Sequence, residues 1–344
     1  MHLFKRSLKQ KDALKGVKIL IADADKYMAR VLKQNLLAMG FGHVLKVDNG
    51  RDAELALKAR SFDILVTEWS MPNMDGIELV SQLRHDDHSP SRALPIIMLT
   101  GRGERSDVEA ARDSGITEFV VKPFSSQTLF SRLEQLVDFP RGFVLSPGYV
   151  GPDRRRKSAC PLGGIERRKT VPTPVNTGAL EEDYYTPRLI LPDHAIKRKI
   201  ALGEPLRNII TPEVLEKAQE AIEAMRDESL AWIKEDVAQL ETAYKGIDSG
   251  NMNAMKDLKA AALSIKSRAG TFGYHLTSEV ARLLYRFVST SYNAANLQHN
   301  MVVLKHVEAL KVIFAGDLTG QDVTVGEELT KDLELLVFKY RNVK

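Results

Sequence analysis

The sequence predicts a multi-domain protein: an α/β doubly wound domain at the N-terminal end and an all-α helical bundle at the C-terminal end. Three observations predict it. Between residues 16 and 138, short apolar runs alternate five times with segments of helical period. Between 139 and 208 that periodicity disappears and Pro, Gly and Arg take over. From 209 to 344 apolar residues return at spacings of three and four, as in helices packed side by side. A chain of 344 residues is long for one domain, which agrees with the division.

In order, Val17 to Ala22 is an apolar run suited to a buried parallel strand. Helical spacing follows at Met28, Val31, Leu32 and Leu36, ending near Gly40. Strands at 44–47, 64–67, 95–100 and 119–121 alternate with helical segments around 53–57, 77–83, 108–112 and 129–137. Five such units close a parallel sheet with helices on both faces. The stretch Ile64 to Gly76 matters most: a buried strand ends on an acid, Glu68, and a Pro-Asn-Met-Asp-Gly turn carries the chain into the next helix. In open α/β sheets chemistry collects at the carboxyl ends of the strands.

Composition sets bounds. Hydrophobic residues at 44% and charged residues at 27% are ordinary for a globular chain, and the net charge of +4 is mild. A single cysteine, Cys160, rules out an intrachain disulfide and a cysteine-based zinc site. Residues 1–15 form a basic tail with Lys5, Arg6, Lys9 and Lys11, lacking the apolar run of a secretory signal. No run approaches the ~18 apolar residues of a membrane span. The expectation is a cytoplasmic protein.

The motifs at the strand ends carry a resemblance. Trp69-Ser-Met-Pro-Asn-Met-Asp-Gly76 and Val120-Val-Lys-Pro-Phe124 are close to the loops of chemotaxis response regulators. Residues 16–138 thus resemble a response-regulator receiver domain, which implies the flavodoxin-like fold. Matched residue by residue, the resemblance makes Asp23 the first of two acidic magnesium ligands and puts the second on Ala24. It makes Glu68 the phosphoacceptor, an aspartate in the family. Thr100 is the hydroxyl that binds the phosphoryl group, Lys122 the lysine that pairs with the acidic cluster, and Phe119 the aromatic switch position.

Two departures bear on function. Phosphoryl transfer needs an in-line nucleophile and a metal to cancel charge. Glutamate puts the carboxylate one methylene, about 1.5 Å, further out. Ala24 supplies no oxygen to a near-octahedral magnesium site, and Asp25 starts the loop in another direction. The expectation is a degenerate site with no catalytic residues, no cofactor and at most weak residual magnesium at Asp23. Glu68 either mimics the phosphorylated state or pairs with Lys122 as a structural ion pair.

Residues 139–208 read as a basic linker. They contain a small repeat, Gly151-Pro-Asp-Arg154-Arg155-Arg156 and Gly164-Ile-Glu-Arg167-Arg168-Lys169. Such a segment suits phosphate-bearing partners, nucleic acid or anionic membrane, or an acidic protein surface. No aromatic residue interleaves the arginines, so base stacking is unsupported.

Thr211-Pro212-Glu213 is a helix start, and an apolar stripe then runs from Leu215 to Tyr244 as one long helix, broken by Gly246 to Gly250. Four more helices follow near 252–270, 275–292, 296–315 and 326–341. The segment from Ala261 to Gly273 resembles the histidine phosphotransfer signature at Ile265, Lys266, Ser267, Gly270 and Gly273, with Leu263 where the phosphorylatable histidine falls. At 100° per residue Leu258, Ala262, Ile265, Ala269 and Phe272 form one stripe, and Leu263 lies about 140° from Leu258. Leu263 is expected on an exposed face beside Lys266 and Gly270, unless another helix covers it. His275 is too far along the chain to replace the histidine, and His299 with His306 lacks the partners of a metal site.

Both domains therefore lack the residue that accepts phosphate. The resulting expectation is a non-enzymatic two-component adaptor that binds histidine kinases, phosphotransfer proteins or response regulators without phosphorylation. An active phosphorelay protein is one alternative, and a nucleic-acid or membrane-surface regulator using the Arg repeats is another. The stripe from Leu215 to Tyr244 also suits a homodimer.

Overall fold

The computed structural model describes residues 12–86, 89, 91–154, 173–174, 188–191, 194–200, 203–248, 253–293, 296–315 and 323–341. The basic tail up to residue 11 and Arg155, Arg156, Arg167, Arg168 and Lys169 of the repeat lie outside the described residues. By its internal contacts the chain forms two compact units, residues 1–121 with 126–221, and residues 122–125 with 222–344.

The first unit is built on strands Lys18–Ala22 (β1), His43–Val47 (β2), Ile64–Thr67 (β3), Ile96–Thr100 (β4) and Glu118–Val121 (β5). They form a parallel sheet in the order β2-β1-β3-β4-β5. Helices Lys26–Ala38 (α1), Gly50–Ala59 (α2), Gly76–His85 (α3), Arg105–Ser114 (α4) and Ser126–Asp138 (α5) alternate with the strands. Every residue of β3 and β4 is buried, which is why both read as unbroken apolar runs. Ala22 pairs with Thr67, and Thr67 with Met98. That register makes Asp23 and Glu68 leave the sheet side by side at its carboxyl rim, with Thr100 at the end of the next strand.

Among the described residues of 139–208, which the sequence reads as a linker, part is folded. Phe143–Ser146 (β6) and Tyr149–Pro152 (β7) form an antiparallel hairpin, and Arg188–Ile190 (β9) pairs with β6 while Thr173–Pro174 (β8) pairs with β9. Pro147 and Gly148 form a two-residue turn between strands whose Phe143, Val144 and Val150 are buried.

Arg84, with no exposed surface, holds this hairpin to the sheet domain. Its guanidinium donates to the carbonyls of Gly115 at 2.9 Å, Arg92 at 2.6 Å and Leu94 at 2.9 Å, and lies 5.4 Å from the Phe143 ring. Burial lowers its pKa to about 9, which leaves it cationic at neutral pH. Gly115 has φ +97°, and a Cβ there would sit 2.7 Å from the Val150 carbonyl oxygen, so only glycine lets the hairpin approach.

Beyond the hairpin, Ala195–Lys199 (α6) and Leu206–Ile209 (α7) are anchored to the same unit. Ile196, Ile200, Leu206, Ile209 and Ile210 are buried. Lys199 Nζ meets Asp63 Oδ1 at 2.6 Å, and the Leu206 N–H donates to Asp138 Oδ2 at 2.7 Å.

A correction concerns the stripe from Leu215 to Tyr244. It is two helices, Pro212–Glu223 (α8) and Arg226–Asp248 (α9), separated by a turn at Ala224 and Met225. Neither Gly nor Pro marks the break. The Met225 N–H bonds the Ile222 carbonyl at 3.0 Å and the Met225 side chain is buried, so packing overrides good local helix propensity. The sequence reading starts the bundle at 209, whereas the compact unit starts at Ile222.

The second unit packs α9 with Ala254–Thr271 (α10), His275–Thr290 (α11), Leu297–Ala315 (α12) and Val323–Tyr340 (α13). α10 packs on α9 and α11, and α11 packs on α12 and α13. Trp232 meets Phe272 edge to face at 5.9 Å. Among the described residues, no helix is long and apolar enough to cross a membrane.

Candidate functional site

Asp23, Glu68 and Lys122 each follow a parallel strand directly, Ala24 lies one residue further on, Thr100 ends a strand, and Phe119 lies within β5. Asp23, directly after β1, is buried, and its Oδ1 accepts the Asp25 N–H at 2.9 Å. Ala24 is exposed. The Asp25 carboxylate caps α1, accepting the N–H groups of Tyr27 at 3.0 Å and Met28 at 3.1 Å. It is thereby committed to the helix start. Among the described residues, no group of three or more His, Cys, Asp or Glu side chains gathers as a metal cage would require.

Glu68, half-buried, follows β3. Its backbone N–H donates to the Ala22 carbonyl at 2.8 Å, and its Oε1 accepts the Trp69 N–H at 2.6 Å. The carboxylate thus folds back on the adjoining peptide. The turn that follows is tight: Asn73 has φ 65°, and a Cβ on Gly76 would lie 2.1 Å from the Glu68 carbonyl oxygen. Gly76 is required there. Asp75 closes the turn by capping α3 in a reciprocal box with Glu78.

Thr100, at the end of β4, is buried, and its Oγ1 accepts the Arg102 N–H at 3.3 Å. Lys122 follows β5, is buried, and precedes Pro123 in a cis peptide. Phe119 is half-buried and packs against the apolar cluster of Leu65, Ile96 and Met98.

Arg102 is a residue the sequence reading passed over. Its guanidinium lies 5.0 Å from the Trp69 ring and 3.8 Å from Asp107, and its buried Nε has no hydrogen-bond partner among the described residues. Its place two residues after Thr100, opposite an aromatic that follows Glu68, is the signal that points to it. Arg154, the described member of the basic repeat, is engaged locally: it stacks on Tyr149 at 3.9 Å and pairs with Asp113 at 3.3 Å.

In the helical unit, Leu263, Lys266 and Gly270 all lie on α10. The stripe of Leu258, Ala262, Ile265, Ala269 and Phe272 is buried as expected. Leu263 is half-buried rather than exposed, since α10 has helices packed on both sides. The Lys266 carbonyl accepts the Ser278 hydroxyl at 2.8 Å. Close by, Arg268 Nη1 reaches Asp236 Oδ2 at 2.9 Å inside the bundle, and the Ser264 hydroxyl donates to the same oxygen at 3.0 Å.

His275 is exposed at the start of α11. His299 Nδ1 accepts the Asn293 N–H at 3.0 Å, so the proton is on Nε2, 2.9 Å from the Tyr340 carbonyl. His306 is buried and its pKa is lowered to about 4 by desolvation.

The comparisons agree with this geometry. The family model for the response regulator receiver domain matches residues 19–134. Chemotaxis protein CheY-3 of Vibrio cholerae is 36% identical over 124 residues, covering 36% of this chain and 94% of that protein. Chemotaxis protein CheY of Pseudomonas aeruginosa is 36% identical over 126 residues, covering 37% of this chain and all of that protein (100%). Among solved structures, the signal receiver domain of a signal transduction histidine kinase from Syntrophus aciditrophicus is 30% identical. It covers 36% of this chain and 90% of that chain, with a TM-score of 0.33. The chain belongs to the response-regulator receiver family, and these matches support a part in two-component signalling.

Proposed function

We propose that this chain is a two-component signalling adaptor of the cytoplasm, not an enzyme, which binds its partners without being phosphorylated. The observation that carries the reading is the pairing of Glu68 with Ala24. One oxygen of the carboxylate is tied to the Trp69 N–H at 2.6 Å, and position 24 has no side-chain oxygen to offer a cation. With Asp25 spent on the α1 cap, the donor set does not fit a magnesium ion, and no step is routed through one.

The second support is α10, which resembles the histidine phosphotransfer helix with Leu263 in place of the histidine. A branched apolar side chain beside Lys266 and Gly270 favours contact over chemistry. The partners that fit are histidine kinases, phosphotransfer proteins and receiver proteins, met through surfaces shaped as in the phosphorylatable members.

Phosphorylation itself tests the proposal. The full chain is incubated with magnesium and acetyl phosphate, and hydroxylamine-labile protein phosphate is measured. No label is expected in the wild type, and label is expected in the Ala24→Asp, Glu68→Asp variant, where acceptor and metal ligands are restored. Stoichiometric label in the wild type, lost on Glu68→Gln, contradicts the proposal.

A further inference from the structure

We infer that α8 is a displaceable cover on the α1–α5 face of the receiver. The starting point is Asn35. It stands in the buried stripe of α1 with Met28, Val31, Leu32 and Leu36, and it has no exposed surface. Its Nδ2 donates to the Ser126 hydroxyl on α5 at 2.6 Å and to the Ala218 carbonyl on α8 at 2.9 Å. Its Oδ1 is buried with no hydrogen-bond partner among the described residues. Gln219 Oε1 completes the contact, accepting the Ser126 N–H at 3.2 Å and the Ser126 hydroxyl at 3.3 Å.

A buried acceptor left unpaired works against the state that buries it. With α8 lifted, Asn35 and Ser126 are at the surface and water satisfies every one of these groups. The face therefore carries polar residues suited to being wet, and covering it has a built-in cost. The apolar gain that opposes this cost is small. Between Pro212 and Ala221 only Ala218 is fully buried and Val214, Leu215, Gln219 and Ala221 are half-buried, while Ile222 near the end of α8 is buried as well.

The preceding segment contrasts with it. Ile196, Ile200, Leu206, Ile209 and Ile210 are all buried, and the Asp63 and Asp138 anchors add to their hold. The chain is thus fastened up to Ile210 and more lightly held from Thr211 to Ala221. Release of α8 pivots at Thr211 and bares Asn35 and Ser126 without loosening the receiver sheet. The inference stands whatever the chemistry at Glu68.

Hydrogen exchange of the full chain tests it. In the wild type, the amides of α8 up to Ala221 exchange faster than those of β3 and β4, through an opening separate from global unfolding. Asn35→Leu, which removes the donor to Ala218 together with the unpaired oxygen, changes α8 exchange by several-fold while β3 and β4 keep their protection. Ala218→Glu, which keeps a helix former but cannot be buried, speeds exchange of α8 while β3 and β4 keep their protection. Alpha8 exchanging only together with the sheet in the wild type, or a change in Asn35→Leu that α8 and the sheet share equally, overturns the inference. The second outcome holds even if Ala218→Glu fails to fold.

Discussion

Among the described residues each unit buries one arginine, and the two do it differently. Arg84, in the receiver unit, is surrounded by three backbone carbonyls and, among the described residues, no carboxylate partner is in hydrogen-bond reach. Arg268, in the helical unit, is neutralised by Asp236 one helix away. A sheet domain has loop carbonyls at the ends of its strands to offer a cation. A helical bundle has most of its carbonyls occupied within helices and here adds a side-chain acid, while Arg268 also reaches the Trp232 carbonyl at 3.4 Å. The difference teaches that Arg84 is bound up with the topology, since Gly115, Arg92 and Leu94 belong to three separate loop positions. Arg268 is a pairwise contact that can be replaced.

That contrast can be broken experimentally. Arg84→Met leaves three buried carbonyls unpaired and removes the contact with Phe143, and is expected to destabilise by about 5 kcal/mol in chemical unfolding. No compensating single change exists. Arg268→Met leaves the Asp236 carboxylate buried without a cation, with only neutral partners such as Ser264, and costs about 4 kcal/mol, but the Asp236→Leu, Arg268→Met double variant recovers most of it. Recovery of Arg84→Met by one further apolar substitution, or no recovery at Arg268, would erase the distinction.

A smaller effect sharpens it by pH. The pKa of His306 is lowered to about 4 in the folded state against an ordinary value of 6.5. The unfolded chain then binds more protons between those values, so stability is intact above pH 6.5 and falls as pH drops toward 4. The full loss amounts to about 3 kcal/mol. His306→Leu flattens this part of the profile in urea unfolding, whereas variants at Arg84 leave the slope unchanged.

The two units also differ in how much of each was legible. In the receiver, strand ends fix the site: once β1, β3 and β4 are placed, Asp23, Glu68 and Thr100 follow from the register. Helix phase fixed the buried stripe of α10 equally well, but Leu263 lies at the stripe's edge, where the outcome depends on neighbours that phase alone does not place. The hairpin at 143–152 was hidden because Pro147 and Gly148 look the same in a turn as in a linker. Its strands of four residues are too short to declare a period. The turn at Ala224 and Met225 has no local signal, and Arg84 reads as an ordinary last-turn base of α3.

The most direct measurement uses tryptophan fluorescence. The chain has two tryptophans, Trp69 and Trp232, and replacing Trp232 with Phe leaves the reporter that follows Glu68. Magnesium, then magnesium with beryllofluoride, is titrated into this protein and into the same protein carrying Ala24→Asp and Glu68→Asp. A flat response in the first and saturable quenching in the second is the result expected of a receiver silenced at these two positions. Saturable quenching with Glu68 and Ala24 in place would show a working metal and phosphoryl site, and would contradict it.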